Sequence, residues 1–215
     1  MKVTRVKKVL ISLLVLGAIL LSLPFGVFAG TLPFTDVPQN EWFHPHVLFV
    51  YQNGIMHGVG GGRFAPGTNL NRAQFVTILH RLAGSPSASF SPVFSDVANG
   101  QFYTTPIMWA SQNNIVNGVG GGRFAPNDNL SREQLAVMLH RFAEHQGYNT
   151  NVPANFNLNQ FNDHAQISTW AITAMRWANY NELITGVTNT TIMPGTAATR
   201  AQGAAVIHRF ATMVS

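Results

Sequence analysis

The chain has 215 residues, no cysteine and a formal net charge of +5. Four of its 13 basic residues lie within the first eight positions, and beyond them nine arginines stand against 8 acidic residues. This balance argues against nucleic acid or an anionic membrane as the partner. The absence of cysteine excludes disulfides and thiolate metal sites, so the fold must be stable through its core alone.

The N-terminus predicts a secretory signal peptide, residues 1–29. Four basic residues come first, residues 9–23 are apolar, and Val27-Phe28-Ala29 offers a small-residue cleavage site. The apolar run is shorter than the roughly 20 residues that a membrane-spanning helix needs, which favours a cleaved signal peptide. An uncleaved membrane anchor is the alternative. We therefore expect an exported protein that begins near Gly30 and has no membrane segment after cleavage.

The rest of the chain repeats itself. Shifted by 60 residues, Phe-Thr-Asp-Val at 34–37 aligns with Phe-Ser-Asp-Val at 94–97, and residues 58–66 are identical to residues 118–126. A third copy follows at an offset of 68 residues. The pattern predicts three repeats, at residues 30–84, 90–146 and 157–215, that bury their faces against one another.

Each repeat is predicted to begin with a short helix and a tight loop. The short helices are expected at residues 46–53, 107–113 and 171–180, each after an aromatic residue. The glycine runs at 58–62 and 118–122 are expected to supply the positive φ angles of tight turns. Three glycines at the start of these loops are predicted to be structural: Gly58, Gly118 and Gly186.

A second, longer helix is predicted to follow each loop. Ser131 with Gln134, and Thr199 with Gln202, have the spacing of a capping box, and Asn71 with Gln74 is a variant. Apolar residues recur at helical spacing beyond each cap. We therefore predict an all-α fold of three helix-loop-helix repeats, arranged with pseudo-threefold symmetry around a central three-helix bundle.

The order of these motifs resembles tandem S-layer homology domains. The resemblance rests on Phe-x-Asp-Val, the central aromatic, Ile-x-x-Gly, Phe-x-Pro and the Arg-Ala-Gln or Arg-Glu-Gln helix start, and it covers nearly all of the mature chain. It implies that three repeats form one compact unit whose inter-repeat grooves bind secondary cell-wall polymers with pyruvylated sugars. It also implies that the arginine of Thr199-Arg200-Ala201-Gln202 contacts the acidic ligand. All three copies have Gln where the family usually has Glu, so a role for that carboxylate is not carried over.

Three arginines at the helix starts are the first candidate ligand-binding residues: Arg72, Arg132 and Arg200. A cation at this position is repelled by the positive end of the helix dipole, which destabilises the helix by about 0.3 to 1 kcal/mol. An anion held by the guanidinium group and by free amides of the first helical turn would explain the choice. The alternative is an arginine that packs its stem on a neighbouring repeat or pairs with an aspartate.

Two further sets of residues are candidate ligand contacts. Trp42, Phe102 and Trp170 could stack on sugar faces or belong to the core. Arg63 and Arg123 lie beside glycines that let the backbone approach a ligand, with loop capping as the alternative. Repeat 3 has Thr191 at that position, so its groove could be weaker or specialised.

Asp36, Asp96 and Asp163 are predicted to be structural acceptors for backbone amides. Each repeat offers one such aspartate and no second acid in a recurring position, so we expect no catalytic carboxylate pair and no enzyme. No cofactor is expected.

His80, His140 and His208 occupy equivalent positions on the long helices. Three imidazoles converging on the axis could bind Zn²⁺, but their place at the edge of the apolar face favours separate hydrogen bonds, and no metal site is predicted.

The signal peptide and the resemblance together imply a secreted protein of the cell wall or cell surface that binds an anionic wall polysaccharide non-covalently. We expect a monomer with internal pseudo-threefold symmetry. The alternative is a short structural S-layer protein that self-assembles or carries partner proteins at the surface.

Overall fold

The structure is a computed structural model that describes residues 31–215. The predicted signal peptide, residues 1–29, lies outside the described residues. None of the helices in residues 31–215 has the length and the apolarity that crossing a membrane requires.

Six α-helices, two per repeat, form the fold. In chain order they are α1 (His44–Gln52), α2 (Arg72–Leu82), α3 (Thr104–Gln112), α4 (Arg132–His145), α5 (Ile172–Tyr180) and α6 (Arg200–Met213). Two short 3₁₀ turns, His164–Gln166 and Thr169–Ala171, precede α5. Residues 31–215 contain isolated β-bridges but no β-strand, so the predicted all-α fold is confirmed.

The first helices of repeats 1 and 2 begin earlier than the sequence pattern predicted. The prediction started each helix after a proline, whereas Pro45 and Pro106 lie inside the first turn of α1 and α3. Proline is compatible with the first turn because its missing N–H has no partner within the helix there.

The long helices begin at the predicted caps. Each has a complete capping box, in which the side chain of the N-cap residue accepts the amide of the third helical residue and the glutamine there accepts the N-cap amide. The three boxes are Asn71 with Gln74, Ser131 with Gln134, and Thr199 with Gln202. The chemistry of the cap therefore fixes where α2, α4 and α6 begin.

Each long helix packs against the first helix of the following repeat. Helix α2 packs on α3, α4 packs on α5, and α6 closes the series by packing on α1. Helix α2 also packs on α4, and the rings of Phe142 on α4 and Phe210 on α6 lie 5.9 Å apart. The repeats thus share one apolar core, whose largest fully buried side chain is that of Trp177.

Three backbone hydrogen bonds join the repeats in a closed ring just before the long helices. The amide of Leu70 donates to the carbonyl of Ala198, that of Ala198 to Leu130, and that of Leu130 to Leu70, each at 2.8 Å. Pseudo-threefold symmetry about a central bundle stays a prediction, which the cyclic order of these contacts supports.

The loop needs glycine at these positions for two different physical reasons. Gly60, Gly61 and Gly62 have positive φ, as predicted, and so do their equivalents in repeat 2. Gly58 does not: a Cβ atom there would lie 2.7 Å from the carbonyl oxygen of Arg63 and 2.6 Å from the Phe34 ring. The positive φ predicted for Gly58 and Gly118 is therefore wrong, and close approach of chain segments explains these glycines instead.

Candidate functional site

The arginines at the three helix starts are buried between repeats. Arg200 donates from Nε to the carbonyl of Phe64 at 2.8 Å and from Nη2 to that of His57 at 2.8 Å, and its guanidinium group lies 4.6 Å from the centre of the Phe64 ring. Arg72 and Arg132 make the equivalent pair of bonds to repeats 2 and 3. These side chains therefore fasten each long helix to the loop of another repeat.

The amides of the first helical turn also have acceptors. In α2, the amide of Arg72 donates to the backbone carbonyl of Asp128 and that of Ala73 to the carbonyl of Pro126, both at 3.0 Å. The amide of Gln74 donates to the side chain of the N-cap residue Asn71. Helices α4 and α6 repeat this arrangement on the loops of repeats 3 and 1. The expectation of free amides that would hold an anion is wrong, because the following repeat in the ring supplies carbonyl oxygens there.

Three of the five N–H donors of each buried guanidinium group, both on Nη1 and one on Nη2, have no acceptor among these hydrogen bonds. Within residues 31–215, Nη1 of Arg72, Arg132 and Arg200 has no hydrogen-bond acceptor, and none of these atoms is both fully buried and unpartnered. Ligand contact by these arginines stays a prediction, now limited to the N–H groups of Nη1 and the second N–H of Nη2.

A small cavity of about 70 Å³ collects residues from all three repeats, and we call it the first groove. Repeat 3 contributes Arg200, repeat 2 contributes Phe102, and repeat 1 contributes the rest of the lining. The lining residues from repeat 1 are Met56, His57, Gln74, Thr77, Ile78 and Arg81. Two guanidinium groups and no carboxylate line this cavity, which suits an anion.

The three aromatic residues before the short helices are exposed. Trp42 is 56% exposed, Phe102 is 65% exposed and Trp170 is 55% exposed. An exposed large ring that recurs at equivalent positions has no role in the core, and Phe102 stands at the edge of the first groove. Their geometry is therefore that of stacking platforms, while stacking on a sugar stays a prediction.

Arg63 and Arg123 lie on the surface of the glycine-rich loops. Nε of Arg63 lies 3.6 Å from the carboxylate of Asp36, and Nε of Arg123 lies 3.7 Å from that of Asp96. In repeat 3, the hydroxyl of Thr191 instead contacts that of Thr188 at 2.6 Å. Ligand contact by either arginine stays a prediction.

The three aspartates hold the loops rather than the adjacent helices. The carboxylate of Asp36 accepts the amides of Phe64 and Ala65 at 2.8 Å, and Asp96 and Asp163 accept the two equivalent amides in their own repeats. Burial acts to raise the pKa of each carboxyl, but the backbone hydrogen bonds outweigh it and lower the pKa below its ordinary value.

The sequence interpretation missed the second recurring arginine of each long helix. Arg81, Arg141 and Arg209 are half-buried, and Arg81 and Arg209 both line cavities between repeats. Arg81 donates to the carbonyl of Ile55 at 3.2 Å, and Arg209 to that of Leu183 at 3.3 Å. Their recurrence directly after a histidine in all three repeats was the signal that could have identified them.

The recurring histidines do not converge. Nε2 of His80 lies 2.7 Å from the carbonyl of Pro86, Nδ1 of His140 lies 3.4 Å from the carboxylate of Glu144, and Nδ1 of His208 lies 2.9 Å from Nδ1 of His46. No group of three potential metal ligands occurs within residues 31–215.

A larger cavity of about 410 Å³ lies where α6 meets α1, and we call it the third groove. Its lining includes Thr185 and Arg209, which are the repeat-3 equivalents of His57 and Arg81 in the first groove. It also contains the histidine pair and the exposed carboxylate of Glu182. The two grooves are therefore built on equivalent positions but are lined by different chemistry.

Comparison with known proteins gives the family. The S-layer homology domain family matches residues 33–76, 93–136 and 160–204. The chain is 32% identical over 214 residues to an endoglucanase of Bacillus sp. (strain KSM-635). The aligned region covers 96% of this chain and 22% of that protein. It is 31% identical over 114 residues to the S-layer protein sap of Bacillus anthracis, and the aligned region covers 53% of this chain and 14% of that protein.

A cellulosome-anchoring protein of Acetivibrio thermocellus is 25% identical over 182 residues, which is 82% of this chain and 38% of that protein. The chain thus spans well under half the length of each of these relatives, and the similarity to the endoglucanase does not transfer its activity to this chain. The family match, in contrast, falls on all three repeats. The chain therefore belongs to the S-layer homology domain family.

Proposed function

We propose that this protein anchors itself non-covalently to a bacterial cell surface by binding an anionic, pyruvylated wall polysaccharide in its inter-repeat grooves. The observation that carries the proposal is the first groove, in which an exposed aromatic ring of one repeat stands beside the arginines of two others. A carbohydrate that bears a carboxylate needs both features.

The residues of the first groove divide this task. The face of Phe102 offers apolar surface to a sugar ring, while Arg81 and the unpartnered Nη1 of Arg200 offer charge-assisted hydrogen bonds to a carboxylate. His57 and Gln74 supply polar groups for hydroxyls. Because two carbonyl bonds already hold Arg200, its guanidinium group loses little freedom when a ligand binds.

The relatives support the cell surface as the location. One is named as an S-layer protein and another as a cellulosome-anchoring protein, and their similarity to this chain covers repeats of the same family. The predicted signal peptide is consistent with export to that place.

The test is cosedimentation with purified cell walls before and after removal of the pyruvate ketals. The triple variant Trp42→Ala, Phe102→Ala and Trp170→Ala is expected to lower the affinity at least about tenfold, because it removes the stacking surfaces and no buried group. Phe90→Ala is the matched control, since Phe90 is also an exposed aromatic residue but does not belong to the recurring set of Trp42, Phe102 and Trp170.

Equal binding to intact and ketal-free walls would contradict the proposal that the ligand is pyruvylated. Undiminished binding by the triple variant would contradict the proposal that the ligand stacks on these three rings. The alternative function, a structural S-layer protein, predicts ordered assemblies in the absence of wall polymer. Sedimentation velocity of the purified protein separates the two, because the anchoring proposal expects a monomer.

A further inference from the structure

The first and last helices of the described fold meet through two histidines. Nδ1 of His46 on α1 lies 2.9 Å from Nδ1 of His208 on α6, and the centres of the two rings are 5.1 Å apart. The His208 ring stacks on Phe49 with a centroid distance of 4.1 Å, and Trp42 contacts His46 edge-on. The pair therefore sits in the contact that closes the ring of repeats.

Two imidazole nitrogens at this distance can share only one proton. One nitrogen must donate an N–H and the other must present its lone pair. When both rings are protonated, both Nδ1 atoms carry a hydrogen, and two cationic N–H groups stand face to face at hydrogen-bond distance, which both repulsion and the loss of the hydrogen bond oppose. The contact is therefore compatible with neutral rings and incompatible with two charged rings.

The surrounding charges do not compensate for a second proton. Arg209 on α6 adds a positive charge to the same cavity, while Glu182, after α5, is the one acid in its lining. The titratable groups near the start of α1, Glu41 and His44, are not among the lining residues. Burial, His208 and Arg209 lower the pKa of His46 to about 4, and burial and Arg209 lower the pKa of His208.

The other two inter-repeat contacts lack this pair. Pro106 and Ala174 stand at the positions equivalent to His46. His80 faces a carbonyl oxygen, and His140 faces the Glu144 carboxylate, which favours its protonated form although burial lowers the pKa of that ring. Only the contact between α1 and α6 thus has two imidazoles head to head among the described residues.

We infer that the contact between His46 and His208 is an acid-sensitive latch, which joins the first and last repeats while the two rings share one proton and releases them when both are protonated. Release would separate α1 from α6 and with them the walls of the third groove, and would free the Trp42 ring that contacts His46. The α2–α3 and α4–α5 contacts would stay closed. The inference does not depend on the proposed ligand.

The sign of the pH dependence follows from the lowered pKa values. An unfolded chain takes up protons on histidine near pH 6.5, whereas the folded pair resists protonation down to about pH 4 for His46. The stability of the α1–α6 contact is therefore complete above about pH 6.5 and falls as the pH drops from about 6.5 towards 4.

The test combines hydrogen exchange with thermal unfolding of the full chain. In the wild type, amide protection of α1 and α6, corrected for intrinsic exchange rates, is expected to fall at pH 4.5 relative to pH 7.5 by at least about tenfold more than that of α2 and α3. The Tm of His46→Ala should fall by about 5 °C less than that of the wild type over the same pH range.

His44→Ala is the matched control, because it removes a histidine from the same helix without touching the pair, and it should keep the pH dependence of the wild type. Equal loss of protection in all helices would overturn the latch, as would a His46→Ala variant with the full acid sensitivity. If His46→Ala does not fold, the exchange measurement on the wild type still decides.

Discussion

The first and third grooves occupy equivalent places between repeats, yet their linings differ. Arg81 in the first groove corresponds to Arg209 in the third, but the first has a second arginine and no acid, whereas the third has Glu182 and two histidines. The position of Glu182 is Gly54 in repeat 1, and that of His46 is Pro106 in repeat 2. The repeats thus keep the residues that position the helices and vary several of those that line the grooves.

The largest expected effect concerns Arg200, which lines the first groove and fastens α6 to the loop of repeat 1. Arg200→Met should lower the free energy of unfolding by about 3 kcal/mol, because the carbonyls of Phe64 and His57 lose a buried charged donor. Urea unfolding measures this change in the free energy of unfolding. Arg63→Met is the control, since its exposed ion pair should contribute less than about 1 kcal/mol, and equal effects would contradict the fastening role of Arg200.

The next effect separates the two grooves by their charge. Arg81→Gln should weaken binding to the pyruvylated polymer about tenfold, because it removes a charge-assisted hydrogen bond from the groove that lacks an acid. Arg209→Gln should change it less than about twofold, since Glu182 already opposes an anion there. Binding isotherms measure both, and a larger loss for Arg209→Gln would reverse the assignment.

A smaller effect distinguishes the acid response of the loops from that of the histidine pair. The pKa of Asp96 is lowered, so the stability from its carboxylate is present above about pH 3.8 and is lost as the pH falls through its folded pKa. Asp96→Asn should cost about 1 kcal/mol at pH 7 and flatten the pH profile only below about pH 4. Flattening between pH 6.5 and 4 would instead mean that the aspartates cause the loss assigned to the histidines.

The smallest effect is a titration shift. Arg209→Gln removes a positive charge that lowers the pKa of His46, so that pKa should rise from about 4 while remaining below 6.5. NMR titration of the imidazole resonances measures the change. A pKa that stays the same would show that burial and His208 alone account for its low value.

The sequence predicted those features that depend on neighbouring residues. The caps of α2, α4 and α6 need a side chain and an amide three residues apart, so the spacing of Asn71 and Gln74 was sufficient. The two helices per repeat followed from periodicity in the same way. The starts of α1 and α3 were predicted too late, after Pro45 and Pro106, although proline is compatible with the first helical turn.

The sequence did not predict the features that depend on the ring of repeats. The dipole argument for Arg200 considered its own helix, whereas its acceptors lie 136 and 143 residues away along the chain. The pair of His46 and His208 is separated by 162 residues and exists only because repeat 3 closes on repeat 1. Local spacing contains no information about such contacts, which arise when the whole core assembles.

The hydrogen-bonded ring of Leu70, Leu130 and Ala198 sets the number of units that this architecture can hold. An open solenoid can gain or lose a repeat at its ends, because each unit touches only its neighbours. Here every unit already has both neighbours, so a fourth copy would find no unpaired backbone to join. Deleting one would leave one donor and one acceptor of this ring unsatisfied, so its hydrogen bonds are complete only when three repeats are present.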